Sequence, residues 1–247
     1  MIAAGASSAT HVFDDADTLA REVAEWLCAL AQARSETFAV CLAGGSTPRR
    51  LYRRLAMPPI VTRFPWRRVH WFWGDERFVP HDHPASNYRM ARDAFLSSAA
   101  VPPANIHAIP TEGLAPQQAA AAYEATLKRF YGAEKLTPDR PLFDVTLLGV
   151  GEDGHTASLF PGEPALDEGA LWAVAVIGAK PEPRITLTYP ALDSSRDVAF
   201  LATGAGKKEI LRRAQAGDRA LPAARVRPVG RLHRFIDRAA APGSVSG

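Results

Sequence analysis

Residues 143–156 read Phe143-Asp144-Val145-Thr146-Leu147-Leu148-Gly149-Val150-Gly151-Glu152-Asp153-Gly154-His155-Thr156. From Phe143 to Val150 the run is nearly continuous in apolar character, as a strand reads when a parallel sheet buries both its faces. It then breaks into a polar, glycine-rich loop. Two similar apolar runs precede it, at 38–42 (Phe38-Ala39-Val40-Cys41-Leu42) and at 69–73 (Val69-His70-Trp71-Phe72-Trp73). Further strands are predicted at 171–177, 184–189 and 197–202. Helical patterns alternate with these strands. Asp14 is placed to cap a helix over 15–34, with Leu19, Val23, Trp26, Leu27 and Leu30 on one face. Thr47 and Pro48 suit the cap and first position of a short helix. Helices are also predicted over 87–96, over the Ala-rich 116–131 and over 206–214, with a polar loop at 74–86. The alternation predicts an α/β fold: an open, doubly wound, mostly parallel sheet with helices on both faces, with room for a small subdomain. One domain over 11–238 is expected, with frayed ends at 1–10 and 239–247.

The bulk numbers exclude several classes. The chain has 247 residues and a net charge of +3 from 29 basic and 26 acidic residues, too weak and too evenly spread for a nucleic-acid protein. The pairs Arg49-Arg50, Arg53-Arg54 and Arg67-Arg68 read as solvated helix faces, with a few guanidiniums available to an anionic ligand. Cys28 and Cys41 both lie in apolar patterns and read as core thiols of a reducing compartment. No Cys/His cluster has zinc-site spacing. No apolar run approaches the roughly 18 residues of a membrane span, and the N-terminus lacks the basic and apolar regions of a signal peptide. The expectation is a cytoplasmic protein without membrane or nucleic-acid partners. A monomer is the default, since no long exposed apolar face is evident.

Ligands of open α/β sheets bind beyond the carboxyl ends of the strands. Three loops fall there. In Ala43-Gly44-Gly45-Ser46-Thr47-Pro48, two glycines allow close backbone approach, and the following helix offers free N–H groups and its positive end. This string reads equally as a phosphate cradle and as a tight strand–helix turn. The second loop runs from Gly74-Asp75-Glu76-Arg77 to Ser86-Asn87-Tyr88; Arg77 either grips a phosphate or carboxylate with its fork or belongs to a surface ion-pair set.

The third loop matches G-x-G-x-x-G from Gly149 to Gly154 and approaches a P-loop. Neither reading holds. His155 replaces the P-loop lysine, Glu152 and Asp153 put negative charge in the cradle, and the strand near 171–177 ends in Gly178 where a dinucleotide site needs an acid. The better reading is that Asp153 and His155 are a pair of catalytic groups, the alternative being that His155 only caps a helix or satisfies the loop. Imidazole, with an ordinary pKa of ~6.5, takes a proton from water near neutral pH, and a neighbouring carboxylate fixes its tautomer. Lys180 and Arg184, in Lys180-Pro181-Glu182-Pro183-Arg184, and Lys207, in Thr203-Gly204-Ala205-Gly206-Lys207, are either solvated charge or further anion ligands.

In order along the chain, LAGGSTPRRLY (42–52), WGDERFVP (73–80), SNYRMAR (86–92), DVTLLGVGEDGHTASLFPG (144–162), KPEPRITLT (180–188) and TGAGKKEIL (203–211) together resemble the 6-phosphogluconolactonase family. HTASLFPG is the most diagnostic string. Glucosamine-6-phosphate deaminases share the Gly-Gly-Ser loop and an Asp-Gly-His motif, but read HIAFNEP in place of HTASLFP and Asp-Glu-Tyr in place of Asp75-Glu76-Arg77. The resemblance implies an open α/β fold, no metal or cofactor, and a sugar-phosphate lactone, 6-phospho-D-glucono-1,5-lactone, as substrate in the oxidative pentose phosphate pathway. On that reading His155 and Asp153 are catalytic, and Gly44, Gly45, Ser46, Thr47, Asp75, Arg77, Asn87, Gly151, Lys180, Arg184 and Lys207 bind substrate or its phosphate.

Overall fold

The computed structural model describes residues 7–243. Among these described residues nine strands form two sheets. The main sheet holds β1 (Ser8–Phe13), β2 (Phe38–Leu42), β3 (Val69–Trp73), β5 (Phe143–Leu148), β8 (Ser195–Ala202) and β9 (Arg231–Asp237), in the order β1-β9-β8-β5-β2-β3. Every neighbouring pair in it is parallel. All residues of β2 and of β5 are buried, as strands covered on both faces must be. The helices that lie between strands in the chain are α1 (Ala16–Ala33), α2 (Ser46–Leu55), α3 (Ile60–Arg63), α4 (Asn87–Ala91), α5 (Pro116–Tyr131), α6 (Tyr189–Asp193) and α7 (Lys208–Gln215). The fold is an open, doubly wound α/β sheet. Among the described residues no helix is long and apolar enough to cross a membrane.

Three strands leave this sheet. β4 (Asp75–Arg77), β7 (Arg184–Leu187) and β6 (Ala173–Val176) form a separate antiparallel sheet, in that order. The expectation that 171–177 and 184–189 join the parallel sheet, and that 74–86 is all loop, is therefore corrected. The cause is chain length. Residues 177–183 are too few for a parallel crossover, which needs a dozen or more, so β6 and β7 must turn back on each other. Gly74 joins the two sheets: its N–H donates to Leu42 O of β2 at 2.9 Å, and its carbonyl accepts from Leu187 N of β7 at 2.8 Å.

Other boundaries also shift. Asp15, rather than Asp14, caps α1, its side chain accepting from the N–H groups of Asp17 and Thr18. Gly45, at φ 108, caps α2 in place of Thr47; Ser46 and Thr47 begin the helix, so Pro48 is its third residue. Thr47 instead bonds Thr203, Oγ1 to Oγ1, at 2.8 Å. The predicted 87–96 helix is α4 followed by a π-helical turn, Arg92–Leu96. Residues 1–6 and 244–247 lie outside the described residues, but Ser8–Thr10 belong to β1 and Ala240 is fully buried, so fraying does not extend that far inward. β1 and β9 are additions to the expected strands.

The strand order places the site. After β2 the chain steps outward to β3, and after β5 it steps the opposite way to β8. β2 and β5 are neighbours, so their following loops part and leave a crevice at their carboxyl ends.

Candidate active site

A cavity of about 400 Å³ fills this crevice. Its walls come from the loops after β2 and β5, from β4 and β7 of the small sheet, and from the segment after β8. Gly44, Gly45, Ser46, Thr47, Asp75, Arg77, Asn87, Gly151, His155, Lys180, Arg184 and Lys207 all line it. A larger groove, of about 950 Å³, runs along α5 and β6 but holds none of these residues.

The first wall is the start of α2. The Tyr52 hydroxyl accepts the Ala43 N–H at 2.9 Å and donates to Ala43 O at 2.8 Å, which pins the end of β2 to the helix that follows. The N-terminus of α2 therefore faces the cavity, with the free N–H groups and positive dipole end that favour an anion. Gly44 is held against Asn87: a Cβ placed on it would lie 2.2 Å from Asn87 Oδ1.

The opposite wall is β4 and what packs on it. Asp75 is buried; its Oδ2 accepts from Ser158 Oγ at 2.7 Å, and its backbone oxygen accepts from Asn87 Nδ2 at 2.9 Å. Arg77 and Arg184 face each other across the β4–β7 register. Arg77 Nη1 donates to Ala85 O at 2.6 Å, and Arg184 Nη2 lies 3.5 Å from Glu182 Oε2. The Nε of each guanidinium is buried with no hydrogen-bond partner among the described residues. Burial, and then the adjoining Arg77 charge, pull Arg184 below the ordinary guanidinium range. Two like charges held together with unused donors attract an anion and offer it hydrogen bonds.

The third wall is the loop after β5. Gly151 N–H donates to His155 O at 2.8 Å, and Gly154 N–H to Gly151 O at 3.0 Å, closing a tight turn with Gly154 at φ 84. Asp153 Oδ1 accepts the His155 backbone N–H at 3.0 Å and lies 2.5 Å from His155 Nδ1. Asp153 therefore stands behind His155 rather than in the cavity wall. Burial raises the Asp153 carboxyl, but its bonds to His155 and the charges of His155 and Lys180 outweigh this and hold it below its usual value. A Cβ on Gly151 would lie 2.0 Å from His155 Nδ1 and 2.5 Å from Asp153 Oδ1, so only glycine leaves room for the pair. With Nδ1 turned to Asp153, Nε2 is the ring nitrogen left for a ligand. The imidazole packs on Phe160 at 4.8 Å between ring centres, and Lys180 Nζ sits 5.0 Å from the centre of the Phe160 ring.

Sequence reasoning misses Ser158 and Phe160, which also line the cavity. The signal for both was their place in HTASLFPG. Glu152 lies outside the cavity wall, toward Gly206. Among the described residues no group of three or more His, Cys, Asp or Glu side chains is arranged to hold a metal ion.

The chain resembles known proteins over most of its length. The family described as Glucosamine-6-phosphate isomerases/6-phosphogluconolactonase matches residues 14–234. A 6-phosphogluconolactonase of Synechocystis sp. is 43% identical over 205 residues, covering 81% of this chain and 82% of that one. The Homo sapiens 6-phosphogluconolactonase is 38% identical, covering 97% of this chain and 95% of the other. The crystal structure of 6-phosphogluconolactonase from Thermotoga maritima superposes with a TM-score of 0.81 at 30% identity, covering 94% of this chain and all of that one.

Proposed function

The chain belongs to the glucosamine-6-phosphate isomerase/6-phosphogluconolactonase family, and from that membership we propose that it hydrolyses 6-phospho-D-glucono-1,5-lactone to 6-phospho-D-gluconate. The observation that carries the reading is His155, backed by Asp153, set in one cavity with the Arg77 and Arg184 guanidiniums. The pair supplies proton transfer and the guanidiniums supply a phosphate anchor, which are the two things a phosphorylated lactone requires.

In the proposed reaction, Nε2 of His155 takes a proton from a water molecule as that water attacks the lactone carbonyl C1. Asp153 accepts from Nδ1 and stabilises the imidazolium that forms. Backbone N–H groups of the glycine loop at Gly44 and Gly45 stabilise the oxyanion. The intermediate collapses with cleavage of the bond from C1 to the ring oxygen, and His155 returns its proton to that oxygen. One water is consumed and the imidazole ends neutral. The cycle draws on no metal or cofactor. Arg77, Arg184, Lys180, Lys207 and the Ser46–Thr47 helix start hold the phosphate, while Asp75 and Asn87 face the sugar. The buried free thiols of Cys28 and Cys41 suit a reducing cytoplasm.

The test is lactone decay. Glucose-6-phosphate dehydrogenase generates the lactone in situ, and its disappearance is followed with and without this protein. Acceleration is the expected result. No acceleration by the folded protein would overturn the proposal, and ammonia release from glucosamine 6-phosphate would then assign the site to the deaminases.

A further inference from the structure

One buried carboxylate at the site has no part in the proposed reaction. Glu76 is 1% exposed and lies between Asp75 and Arg77 on β4. Its side chain points away from the cavity and takes up four donors. Oε1 accepts the backbone N–H groups of Arg77 and Asn87, both at 2.7 Å. Oε2 accepts the Tyr88 N–H at 2.8 Å and the Ser86 hydroxyl at 3.0 Å.

We propose that Glu76 is a positioning residue for substrate binding: its carboxylate clamps β4 to the start of α4 and so sets Arg77 and Asn87 at the angles at which they meet the substrate. This rests on the lactonase reading of the cavity. The connection between Arg77 and Asn87 is a loop, and loops hold side chains less firmly than strands do. Arg77 touches that loop through its bond to Ala85 O, and Asn87 touches β4 through its bond to Asp75 O. Glu76 ties both ends of the loop together at one point. Asn87 in turn fills the space against Gly44, so the clamp also determines how closely the β2–α2 loop can approach.

The chemistry demands a carboxylate and not merely a side chain of that size. Each oxygen already accepts two donors, and none of the four groups is free to become an acceptor except the Ser86 hydroxyl. That hydroxyl also accepts the Arg89 N–H at 3.1 Å as the cap of α4. Glutamine is isosteric, yet its NH₂ would face either the Arg77 and Asn87 N–H groups or the Tyr88 N–H. In both orientations at least one buried donor meets another donor, at the cost of an unsatisfied polar group. Burial pushes the Glu76 carboxyl up, and its backbone N–H bonds work against that push.

The decisive experiment compares wild type, Glu76→Gln, Arg77→Ala and the double variant. Each is measured for KM and kcat on the lactone, for Kd of 6-phosphogluconate and of inorganic phosphate, and for Tm. Glu76→Gln is expected to raise KM and both Kd values by roughly tenfold, with kcat changed much less. In the Arg77→Ala background the same substitution should add less than about threefold, because groups in one network are not additive. A folded Glu76→Gln protein with wild-type KM and Kd, and only a lower Tm, would overturn the proposal, as would full multiplication of the two single effects. If Glu76→Gln does not fold, Glu76→Asp decides: its carboxylate is withdrawn by one methylene, and unchanged KM and Kd in that variant would be equally fatal. A wild-type protein without lactonase activity would fail the functional reading itself, and the Kd and Tm comparisons with inorganic phosphate would still stand apart from it.

Discussion

The Nδ1 of His155 lies 2.5 Å from Oδ1 of Asp153, and the same oxygen accepts the His155 backbone N–H at 3.0 Å. One carboxylate oxygen thus fixes the ring's rotation and directs Nε2 to the cavity. Replacing His155 by alanine is expected to lower kcat by about 10²–10⁴-fold, the usual worth of general acid–base catalysis. The Kd of 6-phosphogluconate, read by calorimetry, should stay within a few-fold of wild type. A near-normal kcat would remove His155 from the reaction. Asp153→Asn retains an acceptor for both donors but not the charge, so its loss of kcat should be smaller than that of His155→Ala.

Gly151→Ala introduces a methyl into space that the catalytic pair occupies, 2.0 Å from Nδ1. Either His155 or the loop must move. Overpacking of this kind costs about 1–3 kcal/mol. The expected outcome is a fall in kcat approaching that of His155→Ala, with a folded protein that still binds inorganic phosphate. Wild-type turnover in this variant would show that the pair tolerates displacement.

Arg77 and Arg184 should govern affinity rather than turnover. Hydrogen bonds to charged groups are worth about 1.5–3 kcal/mol, so each alanine variant is expected to raise the Kd of 6-phosphogluconate by about 10–100-fold. Arg184→Lys restores the charge without the planar fork and should recover only part of that affinity. Binding of gluconate, which lacks the phosphate, should be insensitive to either change. An equal loss for both ligands would place the guanidiniums elsewhere on the substrate.

Stability should depend on pH through a histidine pair remote from the site. His70 Nδ1 and His107 Nε2 are 2.9 Å apart, and burial, followed by the His70 charge, lowers the His107 pKa to about 4. Burial also lowers His70. Between pH 6.5 and 4 the unfolded chain binds a proton at His107 that the folded protein refuses, so stability falls as pH falls through this window. Asp193, raised to about 6 by burial, acts with the opposite sign, so the informative quantity is a difference. His107→Gln should flatten the decline of Tm relative to wild type below pH 6.5. Parallel Tm curves for the two proteins would show that His107 does not supply the slope.

Much of this protein was legible in one dimension. β2, β3 and β5 appear as apolar runs because strands buried on both faces leave few polar positions, and α5 spans 116–131 as its Pro start and Ala-rich pattern predict. The loops after β2 and β5 declare themselves through glycine and through Asp153 and His155, since close backbone approach and proton transfer each need particular residue types.

Tertiary structure decided what depends on partners distant in sequence. β9 carries Arg231, His233 and Arg234 and does not read as a core strand; Asp197 on β8 accommodates it by accepting from Arg231 at 2.8 Å and from His233 at 2.8 Å. The removal of β4, β6 and β7 to a second sheet follows from pairing geometry, which local propensity does not encode. That sheet sets Arg184 opposite Arg77, two residues far apart in the chain, and seals Glu76 beneath them. Glu76 stands in the sequence as one more charged residue of a polar loop. Only burial, which removes water as its competitor, turns its carboxylate into the acceptor for four donors of the segments that hold the site.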